Sequence, residues 1–211
     1  MPYTAAHSKL TFLGDSYGAT EEWNTTLRLI GTQIPDEAEL SAAAGAMSIL
    51  LENSALAFPL GFRFLGVKWA PQDTSGKYGD SGEAVEFMLP TPVTGSASNG
   101  YPQIACVLSL RTARARGYAS NGRMYIPSAR SPAPADGLIT IAQAESIRDS
   151  AAAFIANVET SGIGVPAVMS TVGAGRTEAV TSVRIGRVMD TQRRRRNQLP
   201  ELYTTPADVP S

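Results

Sequence analysis

Glu22-Trp23-Asn24-Thr25-Thr26-Leu27-Arg28-Leu29-Ile30 alternates in character: Trp23, Thr25, Leu27 and Leu29 interleave with Asn24, Thr26, Arg28 and Ile30. A period of two places successive side chains on opposite faces, which predicts a strand with one face buried. Just upstream, Lys9–Gly14 is a second strand-like run, and the polar segment Asp15–Thr20 separates the two. The pair predicts an N-terminal β-hairpin, and a β-rich reading of the chain grows outward from it.

After the break at Gly31–Pro35 the period changes. Asp36-Glu37-Ala38-Glu39 puts acids where the dipole of a helix favours them. Leu40, Ala43, Ala44, Met47, Leu50 and Leu51 then recur at three and four residues, predicting a helix with one buried face that ends near Asn53. Phe62–Trp69 and Ala84–Leu89 read as strands, with Pro71–Gly82 a polar loop between them and Pro90–Pro102 a second long loop. Gln103–Leu110 is apolar on both faces, which places it centrally in a sheet. Arg111–Arg123 reads as an exposed loop or β-ribbon feeding a short strand Arg123–Ile126, and Pro127–Gly137 as a loop. Thr140 and Gln143 have the spacing of a capping box. Ile141, Ala144, Ile147, Ala151, Phe154, Ile155 and Val158 follow with helical periodicity up to Ser161-Gly162. Pro166–Val172 and Ala179–Met189 are the last predicted strands. The expected order is ββ-α-ββ-ββ-α-ββ. It describes an α+β fold, mainly an antiparallel sheet with two amphipathic helices packed on one face. Residues 1–197 would form one domain, and residues 198–211, with three prolines from Pro200 onward, an extended tail.

Composition agrees with a folded single domain. The 211 residues are 43% hydrophobic and 18% charged, with enough length to bury a core. Nineteen glycines and 14 prolines supply the turns of a β-rich chain. No apolar run reaches the ~18 residues of a membrane span. The N-terminal residues lack the charged-then-apolar pattern of a signal peptide, so synthesis in a cytosol is expected. A lone cysteine, Cys106, cannot form an internal disulfide and reads as a small core residue.

The charge is unevenly distributed. Residues 1–110 carry five basic and eleven acidic side chains, net −6, and residues 111–211 carry thirteen basic and eight acidic, net +5. Fifteen of the 18 basic residues are arginine, whose planar fork suits protein interfaces better than lysine does. Arg111, Arg114, Arg116 and Arg123, together with the consecutive Arg193, Arg194, Arg195 and Arg196, are the candidate interface residues. Complementary charge on one small chain suits contacts between identical copies. The run Arg193–Arg196 also supports a nucleic-acid reading. Consecutive residues of a strand point to both faces, however, and Tyr203 is the only ring near the run.

No constellation for catalysis assembles. Gly14-Asp15-Ser16, after an N-terminal strand, resembles the nucleophile block of SGNH (GDSL-type) hydrolases, which would make Ser16 the nucleophile. That family's histidine base lies near the C-terminus, whereas the only histidine here is His7, upstream of the serine, and the family's Gly-x-Asn-Asp block is absent. A serine hydroxyl without a base is a poor nucleophile. Gly79-Asp80-Ser81-Gly82 resembles the serine context of trypsin-like proteases and is explained as a tight turn. One histidine and one cysteine cannot make a nitrogen/sulfur metal site, the acids follow no calcium-loop pattern, and no phosphate- or dinucleotide-binding fingerprint is present. The expectation is a protein with no cofactor, no metal and no catalysis.

The phrases Ile104–Thr112, Gly122–Pro127 and Val183–Asn197, with Lys9–Gly14 and Glu21–Asn24 at the start, resemble a family of uncharacterised proteins of tailed bacteriophages and environmental viruses. The resemblance spans most of the chain. It implies a virion component made in many copies, such as a capsid, connector or tail protein, whose partners are copies of itself and other virion proteins. It brings no catalytic residues. The absence of a long basic N-terminal arm favours a shell or tail component over a genome-neutralising coat.

Overall fold

The computed structural model describes residues 7–16, 22–31, 33–71, 83–97, 104–112, 119–128, 141–169, 177–179 and 182–188. The N-terminal hairpin is present. Strands β1 (His7–Ser16) and β2 (Glu22–Ile30) pair antiparallel, with Leu10 opposite Leu27 and Phe12 opposite Thr25. Strand β3 (Phe62–Pro71) adds to the other side of β1, and β4 (Val85–Thr94) adds to β3, both antiparallel. This makes a four-stranded antiparallel sheet in the order β4-β3-β1-β2, which β7 (Val165–Met169) and β8 (Thr177–Ala179) extend beyond β2. A separate three-stranded sheet has β5 (Ile104–Thr112) between β6 (Ala119–Ser128) and β9 (Ser182–Val188).

Helices α1 (Glu37–Leu51) and α2 (Ile141–Thr160) pack on one face of the larger sheet, so the fold is α+β. The alternation read in β2 is the one the fold uses. Thr25, Leu27 and Leu29 are buried, Trp23 is half-buried, and Asn24 and Arg28 are exposed. Leu10 and Phe12 from β1 and Phe64, Val67 and Trp69 from β3 complete that face, against Leu40, Met47 and Leu50 of α1 and Ile147, Phe154 and Val158 of α2. Phe12 joins the layers. Its ring meets Phe154 of α2 edge-on at 5.5 Å and tilts against Phe64 of β3 at 6.3 Å. Each such pair adds about 0.5–1.5 kcal/mol to simple burial.

The start of α1 is set by a full capping box. Asp36 Oδ1 accepts from the Glu39 N–H at 2.8 Å, and Glu39 Oε2 accepts from the Asp36 N–H at 2.9 Å. The same Glu39 lies beside Gly162 at the end of α2, where φ is +88° and an added Cβ would sit 2.7 Å from Glu39 Oε1. At the other end, Asn53 Nδ2 donates to Ser150 Oγ at 2.6 Å and to Ser146 Oγ at 3.3 Å. The two helices are therefore antiparallel, with hydrogen bonds joining them at the Asn53 end.

The second sheet docks through β6. Met124 and Ile126 enter the common core, the Tyr125 N–H donates to Thr25 Oγ1 at 3.0 Å, and the Ser128 hydroxyl donates to the Leu56 carbonyl at 2.8 Å. Thr25 and Ser128 are both buried, so each bond satisfies a group that would otherwise be stranded.

Several boundaries differ from the sequence reading. Pro90 and Pro92, expected in a loop, lie within β4. Strand β4 is an edge, where a residue without an N–H is tolerated. Between Met88, opposite Gly66, and Val93, opposite Phe64, four residues of β4 face one of β3, so both prolines fall in a bulge. Of the two readings of Arg111–Arg123, loop or β-ribbon, the described residues form the ribbon: Arg111 lies near the end of β5 and Arg123 within its partner β6, which starts at Ala119 and not at Arg123. The expected strand Ala179–Met189 is two strands, β8 ending at Ala179 and β9 starting at Ser182. Strand β5 is central, as its two apolar faces required, but in the smaller sheet. The Thr140 cap, Pro71–Gly82 beyond Pro71 itself up to Gly82, and the tail 198–211 lie outside the described residues, apart from the strand end at Pro71.

Candidate functional site

The arginines named from the sequence separate into two groups. Arg111 occupies the end of β5, opposite Ser120 of β6 and Ser182 of β9. Arg123 of β6 and Arg184 of β9 are both in register with Ser109 of β5. Ser109 and Arg111 are two residues apart on one strand, so the register gathers Arg111, Arg123 and Arg184 at one end of the small sheet. Arg184 was not among the residues singled out. Its place depends on which strands pair, and no local pattern carries that. Arg114, Arg116 and Arg193, Arg194, Arg195 and Arg196 lie outside the described residues. Cys106 stands in β5 opposite Ile126 and Arg187.

Gly14, Asp15 and Ser16 are the last residues of β1. The Arg63 guanidinium grips the Asp15 carboxylate with both prongs, Nε donating to Oδ1 at 2.8 Å and Nη2 to Oδ2. These hydrogen bonds hold the Asp15 carboxyl below its ordinary range, burial opposes them, and the guanidinium charge adds to them. Trp23 Nε1 donates to the Arg63 carbonyl at 3.1 Å, and Gly14 leaves room for the Trp23 ring, which an added Cβ would meet at 2.1 Å. His7 and Ser16 are the two ends of β1. At ~3.3 Å per residue they are about 30 Å apart, beyond any hydrogen bond. Asp15 thus serves an ion pair that pins β1 to β3, and His7 is not placed as a base for Ser16.

Charge is also sorted between layers, independently of the split along the chain. Asp36, Glu37, Glu39, Glu52, Glu145, Asp149 and Glu159 belong to the helices and their caps, all exposed except the half-buried Glu39. Within the spans 36–53 and 141–162 the only basic residue is Arg148. The helix layer is therefore an acidic surface.

The opposite face of the larger sheet, away from the helices, is polar and carries cations. Cross-strand register orders it in rows. Arg28, Lys9 and Ala70 are in one row, and Thr26, Thr11, Lys68 and Glu86 are in the next. Asn24, Leu13, Gly66 and Met88 make a third, and Asp15 with Arg63 belongs to a fourth. Lys9 and Arg28 stand directly opposite each other, a like-charge pairing that weakens a sheet on its own account. Lys68 is diagonal to Lys9 on the same face and forms an ion pair with Glu86 at 2.7 Å.

Sequence reasoning paired the two strands but did not see this face. The signal was present, since Lys9 and Arg28 fall on the polar parity of their strands. Only the register between the two strands brings them together. Among the described residues, no three histidine, cysteine, aspartate or glutamate side chains cluster as metal ligands would, and no helix is long and apolar enough to cross a membrane. No protein-family model matches this chain, and comparisons with curated proteins and with solved structures return no match.

Proposed function

We propose that this chain is a structural virion protein that assembles in many copies, with arginine-rich positions of one copy meeting the acidic helix layer of the next. One observation carries the reading: seven carboxylates and one base on the helix layer, in a chain whose second half supplies thirteen basic residues. Guanidinium forks bind carboxylates bidentately, and Arg111, Arg123 and Arg184 are already gathered by register. The run Arg193–Arg196 would add to the basic side of the contact. A head-to-tail contact of this type is heterologous and closes into a ring or shell when the rotation between copies closes. The resemblance to proteins of tailed bacteriophages and environmental viruses supports the same reading. Its place would be the virion, after synthesis in the host cytoplasm, beside other virion proteins.

Light scattering after size exclusion, with electron microscopy, tests the proposal. At low salt and high concentration the chain should form regular assemblies. Raising the salt to 1 M shortens the screening length from ~10 Å at 0.1 M to ~3 Å and should dissolve them. Glu37→Gln with Glu52→Gln and Glu145→Gln should raise the concentration needed for assembly at least tenfold. A chain that stays monomeric throughout, or an assembly indifferent to these substitutions and to salt, would overturn it.

A further inference from the structure

We infer that one internal water molecule bridges the Ser8 hydroxyl and the Trp69 indole N–H, joining β1 to β3 inside the core. Ser8 and Trp69 are both 0% exposed, and among the described residues neither Ser8 Oγ nor Trp69 Nε1 has a hydrogen-bond partner. Buried polar groups are nearly always paired, and a buried tryptophan N–H usually finds an acceptor. Register puts the two on the same face of the sheet. Ser8 stands opposite Pro71 and Leu10 opposite Trp69, so Ser8 and Trp69 are diagonal neighbours on the side that meets the helices. Their other cross-strand neighbours on that face are Leu29, opposite Ser8, and Val85, opposite Trp69. Leu10, Leu29, Pro71 and Val85 offer no polar side-chain atom, so within these rows each group has only the other.

Cβ atoms of diagonal neighbours lie roughly 7 Å apart, within reach of an aromatic side chain. Two hydrogen bonds of ~2.9 Å through a single oxygen join atoms up to about 5.8 Å apart. The indole N–H can only donate, so the bridging molecule must accept from it and also bond the hydroxyl. Water does both, and two polar partners suffice to hold it in a core. A cation is unsuited, because no carboxylate stands in either row. A larger ligand is unsuited as well, because Leu10 and Leu29 beside the pair are also 0% exposed. The bridge has a place in the fold. The Asp15–Arg63 ion pair pins β1 to β3 near the Ser16 end of β1, and Ser8 stands near its His7 end. A slip of β1 by one residue would turn Ser8 away from Trp69, so the bridge is made in one register only. The inference stands apart from the assembly proposal, which uses the helix layer and the arginines.

Nuclear magnetic resonance on the full chain tests it, in about 1 M salt to dissolve charge-driven assemblies. The chain has two tryptophans, and Trp23→Phe tells their indole signals apart. The Trp69 indole proton should show a cross-peak to water that reverses sign in the rotating frame, as a bound water gives and proton exchange does not. Ser8→Ala removes one end of the bridge and strands the indole N–H, so the folding equilibrium constant from urea unfolding should fall about tenfold. In a Trp69→Phe background, where the bridge is already broken, the same substitution should leave the constant unchanged or raise it. That comparison separates the bridge from the ring volume that Trp69→Phe also removes. A Trp69 indole proton without the cross-peak overturns the inference. So does a Ser8→Ala protein at least as stable as wild type, the result for a hydroxyl that had no partner. An equal loss on Ser8→Ala in both backgrounds overturns it too.

Discussion

Gly66→Ala should be among the most damaging single-methyl additions to this protein. Gly66 stands on β3 where β4 bulges away, and an added Cβ would lie 2.1 Å from the Phe87 carbonyl oxygen and 2.9 Å from Met88 Cα. Both are backbone atoms of the neighbouring strand, so no side chain can rotate aside. To clear the carbonyl, β4 must retreat by about 1 Å, which takes ladder hydrogen bonds of ~2.9 Å out of range. Losing two of them costs about 1–3 kcal/mol, and partial release of the half-buried Phe87 and Leu89 adds about 1 kcal/mol. The expected loss is about 3 kcal/mol, or roughly 6–12 °C in thermal midpoint for a chain of this size. Urea unfolding with a common slope measures it, and hydrogen exchange should show the β4 amides opening first. Gly45 is the internal control. It lies in α1 with nothing within 4 Å of an added Cβ, so Gly45→Ala should stabilise by about 0.5–1 kcal/mol. A Gly66→Ala protein within 1 kcal/mol of wild type would refute the claim that β3 and β4 are held at the separation described.

Asp36→Ala removes the side chain that accepts the Glu39 N–H and should cost about 1 kcal/mol by chemical unfolding, whereas Asp36→Ser should recover most of it; equal stabilities of all three would show that the cap contributes nothing. The Asp15–Arg63 pair should contribute about 1 kcal/mol or less, being partly exposed. Because folding lowers the Asp15 pKa below the ordinary carboxylate range, that contribution is fully present above about pH 4 and is lost as pH falls through the folded value. Wild type should therefore be more stable than Asp15→Asn at pH 6, with the gap closing below pH 4, and a gap constant from pH 6 to pH 3 would rule out the ion pair as its origin.

The proposed function draws on one physical feature, the sorting of charge into layers. A helix exposes whatever its buried stripe leaves over, and in α1 and α2 the remainder is acidic. A strand exposes alternate residues, and in β1 and β2 the exposed parity carries lysine and arginine beside threonine. Neither layer can neutralise the other, because the core lies between them. The helix layer therefore keeps a net negative charge, which suits a partner of opposite sign.

The amino-acid sequence by itself determined the elements whose evidence is local. The period of two in residues 22–30 and the three-and-four spacing of Leu40 to Leu51 and of Ile147 to Val158 each specify which residues face the core, and the structure buries them, Trp23 by half. The α+β class follows from their order. Only tertiary structure decided which strands neighbour which. It divided the strands between two sheets, placed Ala179 and Ser182–Val188 of the last expected strand in different ones, and let Pro90 and Pro92 sit in an edge strand because no neighbour needs their missing N–H. It also brought Lys9 opposite Arg28 and put Arg123 and Arg184 in register with Ser109, pairings between residues apart in the chain. Local pattern fixes which way a side chain points. Register and packing, which depend on every strand at once, fix what it points beside.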